Sequence, residues 1–186
     1  MFKFLPHSLS FACPTPEDIA EIVKLQQEHF DKFNDRSISW RTSSLELGNY
    51  LDFETSVIAR NSDDGSVVGY LMNVTFENAL NFQHIKLGLN LLPELFFDNT
   101  KLSLFRVCVG QIFIAKDFRG LKLGSKLYQF FLNNVSLHDK YDLRFNTVAF
   151  TNYPSLYFHR DHLNMKIIGV TGTSLKDSFI MVLDLR

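Results

Sequence analysis

Apolar residues along this chain fall into two periods, and the switches between them mark out the elements. "HSLSFAC" alternates apolar and polar residues and predicts a first strand. "TPEDIAEIVKLQQEHF" changes to helical spacing, with Ile19, Ile22, Val23 and Phe30 on the apolar face and Gln26 in the same register. Thr15 can cap that helix, Pro16 suits its first position, and Asp18 stands where the acidic member of a capping box belongs. "SSLELGNYLDF" predicts a short second helix. "SVIAR" and "VVGYLMNVTF", parted by "NSDDGS", are two β-branched runs around an Asp-Gly turn, which predicts a hairpin.

From Glu77 to Thr100 the period fades. "FQHIKLGLNLLPELFF" is apolar enough to be helical or to line a pocket, but Gly88 and Pro93 break any single long helix. "LSLFRVCVGQIFIA" is too apolar to be half exposed, so it should run centrally in a sheet. The helix that follows carries Leu123, Leu127, Phe130, Phe131 and Val135 on or near one face. "LRFNTVAFT" predicts a strand, "PSLYFHRDHL" a short helix, and "MKIIGVTG" with "FIMVLDL" a closing pair of strands. The order β-α-α-β-β-(irregular)-β-α-β-α-β-β predicts a mixed α/β layer fold, a central sheet of about six to seven strands flanked by helices.

Length adds that 186 residues make one domain, large enough to bury a core without disulfides. A composition 46% hydrophobic and 21% charged is that of a soluble globular protein. With a formal charge of −1, no broad basic surface advertises nucleic acid, so any anion site is expected to be local. Cys13 and Cys108 form no C-x-x-C and are expected to be buried reduced thiols. "MFKFLPHSLSFACP" is interrupted by Pro6, His7, Ser8 and Ser10 and does not build the apolar core of a signal peptide. No apolar run is long enough to span a bilayer, so a cytoplasmic location without membrane contact is the default expectation. His7, His29, His138 and His162 show no ligand spacing, and no metal is expected.

The chemistry concentrates in "KDFRGLKLGSKLY", where the apolar strand gives way to an amphipathic helix. Backbone N–H groups at a helix start lack partners inside the helix and carry the positive end of its dipole. Gly120 and Gly124, one turn apart, let a phosphate approach the backbone, and Arg119, Lys122 and Lys126 add charge. That suits a diphosphate better than a nucleic-acid backbone. Most such charged triples are solvated helix faces, so the surroundings must decide. The P-loop fits badly, because "GSK" inverts its Lys-Ser order, and the dinucleotide fingerprint G-x-G-x-x-G is missing.

The stretch does resemble motif A of the GNAT superfamily of acyl-CoA-dependent N-acyltransferases, [QR]-x-x-G-x-[GA]. Arg119 takes its first position, Lys122 replaces its central glycine, Gly124 takes its last, and Gly120 fills an accessory position. "QIFIAKDFRG" resembles the strand end before that motif. "NYPSLYFHRDHLNMKIIG" resembles motif B, matching it at Asn152, Ser155, Leu156, Phe158, His159 and Gly169. Its usual Gly-Phe appears as Asn164-Met165; Asn is the next choice for a left-handed helix end, and Met fills an aromatic slot. The likeness covers nearly the whole chain apart from about Glu77 to Thr100.

The resemblance implies a single acyltransferase domain using acetyl-CoA. It implies a strand that splays from its neighbour, pairing the pantetheine arm with backbone at Ile112, Phe113 and Ile114. It implies a diphosphate held by Arg119, Gly120, Leu121, Lys122, Leu123, Gly124 and Ser125, with Asn152, Ser155, Phe158 and His159 beside the cofactor. For Leu121 and Leu123 the role falls to the backbone N–H, since both side chains are free to pack. His159 stands where the family often has a tyrosine near the thioether sulfur, so it is the candidate general acid; packing against the cofactor is the competing role. Tyr157, two residues away on a helix, should point elsewhere. Glu77, Glu54 and His84 are rival candidates for the base, and none is singled out.

The expected activity is transfer of an acetyl group to a primary amine of a small acceptor, in a ternary complex. The acceptor pocket is expected from the second helix and the Glu77–Thr100 region. The alternative is a non-catalytic CoA-binding sensor or interaction module with the same fold. An unrelated nucleotide-binding domain is a more remote third reading. Family members often form homodimers, although no residue here shows it.

Overall fold

The computed structural model describes residues 8–33 (side chains to 28), 42–82, 94–134, 139–171 and 177–186. Seven strands form one sheet: β1 (Leu9–Ala12), β2 (Val57–Asn61), β3 (Val67–Thr75), β6 (Val107–Ile114), β7 (Leu143–Ala149), β8 (Lys166–Thr171) and β9 (Ser178–Asp184). Their order is β1-β2-β3-β6-β7-β9-β8. Every neighbouring pair is antiparallel except β6 and β7, which run parallel. The mixed, helix-flanked sheet expected from the pattern is therefore the fold. A separate ribbon of β4 (Phe96–Phe97) and β5 (Thr100–Lys101) lies inside the region of faded period. Its turn places Asp98 and Asn99 at positive φ, as a tight hairpin between twisted strands demands. Residues 83–93, with Gly88 and Pro93, lie outside the described residues.

The helices are α1 (Ile19–Phe33), α2 (Ser44–Tyr50), the single turn α3 (Phe76–Ala79), α4 (Leu123–Leu132) and α5 (Tyr153–Tyr157). A 3-10 turn, Pro16–Asp18, leads into α1. The capping box forms there, with the Thr15 N–H donating to Asp18 Oδ2 at 2.7 Å. Asp18 and Glu21 both pair with Arg60 on β2, which pins the start of α1 to the sheet. Ile19, Ile22, Val23 and Leu25 are buried; the side chain of Phe30 lies outside the described residues. Gln26 is buried as well and donates from Nε2 to the Tyr70 hydroxyl at 3.0 Å, which donates in turn to Gln111 Oε1 at 2.9 Å.

Leu123, Leu127, Tyr128 and Phe131 form the buried face of α4. Phe130 corrects the expectation: it is exposed and stacks on Phe11 at 6.2 Å between ring centres, because at 3.6 residues per turn the buried arc runs from Leu123 round to Tyr128 and Phe130 falls just outside its edge. Val135 lies outside the described residues. The central strand starts only at Val107, since Leu102–Leu104 forms a 3-10 turn with Leu104 exposed. Cys108 is buried, which pushes its thiol up to about 12; Cys13, expected to be buried, is exposed. Both are free thiols. No helix among the described residues is long and apolar enough to cross a membrane.

Candidate functional site

β6 and β7 pair at three positions only: Val107 with Leu143, Cys108 with Arg144 and Val109 with Phe145. Beyond these, β6 continues along β3 to Ile114 and β7 continues along β9 to Ala149. The two central strands thus part into a V. The Ala115 N–H donates to the Val68 carbonyl at 2.8 Å. By the alternation of an antiparallel ladder, Phe113 then turns its backbone groups to β3, while Ile112 and Ile114 turn theirs into the opening. Backbone pairing with a ligand is accordingly open to Ile112 and to the N–H of Ile114, whose carbonyl accepts from Arg119 Nε, and not to Phe113.

The opening belongs to a cavity of about 640 Å³. Ile112, Phe113 and Ile114 line it from β6, and Arg119, Gly120, Lys122, Leu123, Gly124 and Ser125 from the turn and the start of α4. Asn152, Ser155, Phe158 and His159 line it from α5 and the π turn Phe158–His162 that continues it. Thirteen of the fourteen residues expected around the cofactor meet here. Leu121 is the exception, with its side chain exposed.

Local geometry explains the turn. Gly120 has φ +77° and Lys122 φ +60°, so two left-handed residues within three fold the chain sharply before α4. Such a turn points successive backbone N–H groups into one concavity, and the helix dipole adds to it. Arg119 clasps the turn to the strand: its Nε donates to the Ile114 carbonyl at 2.9 Å, and its guanidinium lies 5.4 Å from the Phe113 ring centre. Gly124 lets α4 approach closely, because a Cβ there would meet Phe158 Cζ at 3.0 Å and Ile114 Cδ1 at 3.3 Å. Its glycine therefore serves packing of the cavity wall as well as access to the backbone.

Asn152 caps α5, accepting at Oδ1 from the Ser155 N–H at 3.3 Å. The π turn ends with Asn164 at φ +54°, the left-handed position expected of it, and the Met165 N–H returns to the His159 carbonyl at 3.0 Å. Met165 is buried, as a residue filling an aromatic slot should be.

His159 is almost wholly buried. Its Nδ1 lies 2.7 Å from the Ser155 carbonyl and 3.2 Å from Ser155 Oγ, and its Nε2 lies 3.0 Å from Asn146 Nδ2. Burial, helped by the charge of Arg144 and opposed by the bond to Ser155, pulls its pKa down to about 4. A ring that is neutral at pH 7 with both nitrogens engaged has no proton ready for a leaving group. The general-acid role expected of His159 therefore does not follow from this geometry, and wall packing does. Tyr157 is exposed and, as expected, does not line the cavity.

Two of the three base candidates lie elsewhere. Glu77 lines a second cavity of about 500 Å³ at the opposite end of β6, with Arg106 and Lys140. Glu54 is an exposed partner of Lys140 at 3.0 Å. His84 lies outside the described residues, as do His7 and His138. Sequence reasoning missed Pro154 and His162, which line the main cavity, and Arg144, Asn146 and Tyr128 behind its wall. Arg144 and Asn146 stand two apart and so share one face of a predicted strand, but that spacing alone does not tell a buried polar face from a solvated one.

No family model matches the chain, and no curated protein matches it. Solved structures do. A GNAT-family acetyltransferase from Streptococcus pneumoniae superposes with a TM-score of 0.63 at 15% identity, over 94% of this chain and 98% of that one. The acetyltransferase yncA from Salmonella typhimurium, described as putative and solved with acetyl-CoA, gives 0.62 at 12% identity over 96% and 94%. Diaminobutyrate acetyltransferase EctA from Paenibacillus lautus, in complex with its substrate L-2,4-diaminobutyric acid and coenzyme A, gives 0.60 at 15% over 96% and 95%. At such identities the likeness is one of architecture, and it extends over nearly the full length of both chains: the protein has the GNAT fold.

Proposed function

We propose that the protein is an acyl-CoA N-acyltransferase that moves an acetyl group from acetyl-CoA to a primary amine of a small-molecule acceptor. The observation that carries this reading is the convergence of the parted β6 edge, the glycine turn and the α5 wall on one cavity. Ile112 and Ile114 offer backbone groups to an extended pantetheine arm. The turn from Arg119 to Ser125 offers N–H groups and cationic side chains to a diphosphate. Proximity supplies most of the rate, since orienting donor and amine together is worth on the order of 7–11 kcal/mol. Backbone N–H groups at the strand end would polarise the thioester carbonyl.

The test is release of CoA thiol from acetyl-CoA across a panel of small primary amines. Turnover that requires an amine, and that disappears in Gly124→Asp, supports the reading. A second reading, a CoA-binding module without turnover, draws on the cavity itself: no carboxylate is among its described lining residues, and His159 holds its proton inward. CoA binding in calorimetry with no amine giving thiol release would favour that module.

A further inference from the structure

Arg144 on β7 is fully buried, and among the described residues no carboxylate pairs with it. A guanidinium stays charged and can only donate. Here it donates to neutral acceptors: Asn73 Oδ1 at 2.8 Å, Asn146 Oδ1 at 2.5 Å, the Tyr128 hydroxyl, and the Met72 carbonyl at 3.4 Å. It lies 5.1 Å from the Tyr128 ring centre and 5.7 Å from that of Phe131. Gly110 on β6 makes the room, since a Cβ there would stand 2.6 Å from Arg144 Cζ. Gly110 is the first β6 residue beyond the last pair with β7, so the charge sits where the strands part.

That charge sets the direction of the hydrogen bonds beyond it. Because Arg144 only donates, Asn146 must turn its oxygen toward it. The Asn146 amide nitrogen then faces His159 Nε2 at 3.0 Å, and an amide N–H only donates, so Nε2 accepts and carries no proton. On the other side Nδ1 meets the Ser155 carbonyl, which only accepts, so Nδ1 carries the proton. Both ends require the same tautomer.

We propose that Arg144 is a positioning residue of the cleft: acting through Asn146, it holds His159 as a neutral Nδ1–H imidazole and so fixes the wall of Ser155, Phe158 and His159. The link to catalysis rests on the cleft being the acyl-donor site; the tautomer does not. The groups facing the ring are Arg144 and Asn146 from β7 and Tyr128 from α4, 6.2 Å away between ring centres. On its own element they are Ser155 and Phe158, with His162 beyond Phe158. A ring so held does not protonate a departing thiolate near neutral pH.

The experiment is nitrogen NMR on the full chain with labelled histidine, without CoA, followed by acetyl-CoA kinetics. In the unaltered protein His159 should show a protonated Nδ1 and a bare Nε2 from pH 8 to 5. In Arg144→Met, Asn146 is free to turn, and the His159 titration should rise by about one pH unit or more. The pH profile of kcat should gain a matching step. Should that variant not fold, Asn146→Asp places a carboxylate between Arg144 and the ring and should give Nε2 a proton at pH 7. A His159 that titrates near 6.5 in the unaltered protein overturns the proposal, and so does an unchanged Nε2 signal in either folded variant. Failure of CoA to bind would instead remove the acyltransferase reading and leave the tautomer result standing.

Discussion

Lys122 holds φ +60° at the position where the resembling motif has glycine, and a left-handed backbone costs a residue with a Cβ roughly 1–2 kcal/mol. Lys122→Gly should relieve that cost, less the greater chain entropy of glycine, and raise unliganded stability by about 0.5–1 kcal/mol in urea titration. A loss of stability would mean the turn is not strained there. Gly124 acts oppositely: Gly124→Asp drives a carboxylate toward Phe158 and the turn proposed to hold the diphosphate, and should weaken CoA binding by about tenfold or more in calorimetry. His159 ties stability to pH. Its folded pKa, about 4, lies below its ordinary 6.5, so between these values the unfolded chain binds more protons. Stability should then be complete above pH 6.5 and fall by roughly 3 kcal/mol as pH drops through 4. His159→Gln should flatten that slope in denaturant titrations between pH 7 and 4.5; an equal slope in the variant would place the effect on another group.

At the level of elements, β6 depends on the missing side chain of Gly110. Gly110→Ala would set a methyl against the Arg144 guanidinium and the Met72 carbonyl, and should cost about 3 kcal/mol in thermal or urea unfolding. An unperturbed variant would show that Arg144 has another place to go. The hairpin of β2 and β3 was legible because Asp64-Gly65 states its own turn, with Gly65 at φ +74°. The Asn164 helix end was legible for a similar reason, since asparagine tolerates the left-handed position, whereas the α4 turn, with a lysine at φ +60°, was legible through the motif around it rather than through residue type. The wall behind the cavity was not. Arg144 finds Asn73 across 71 positions and Tyr128 across 16, so nothing near Arg144 distinguishes a buried cation from one on a solvated strand face. The pattern starts β6 too early because Leu102 and Leu104 read as strand residues, yet one packs inward and the other is exposed on a 3-10 turn. The β4–β5 ribbon escaped notice because two-residue strands have no period to read.

For the molecule as a whole, ligand binding is coupled to folding, since the cavity needs α5 packed against β6 and the glycine turn, from which it is separated in an unfolded chain by the helix α4 and the strand β7. A ligand that needs all three binds only the folded state. CoA at a hundred times its Kd should stabilise the protein by about 2.7 kcal/mol. For a chain of 186 residues that corresponds to a rise in Tm of roughly 5–11 °C. ATP shares the adenosine and the phosphates but lacks the pantetheine arm that the backbone groups of Ile112 and Ile114 would receive, so its shift should be smaller. Gly124→Asp should lose most of the CoA shift, while His159→Gln should keep most of it, because His159 supplies wall packing rather than a contact to the diphosphate. An ATP shift equal to that of CoA would leave the parted strands without a ligand and turn the cavity into a plain nucleotide site. A CoA shift that survives Gly124→Asp would move the diphosphate away from the turn at Arg119 and take the acyltransferase reading with it.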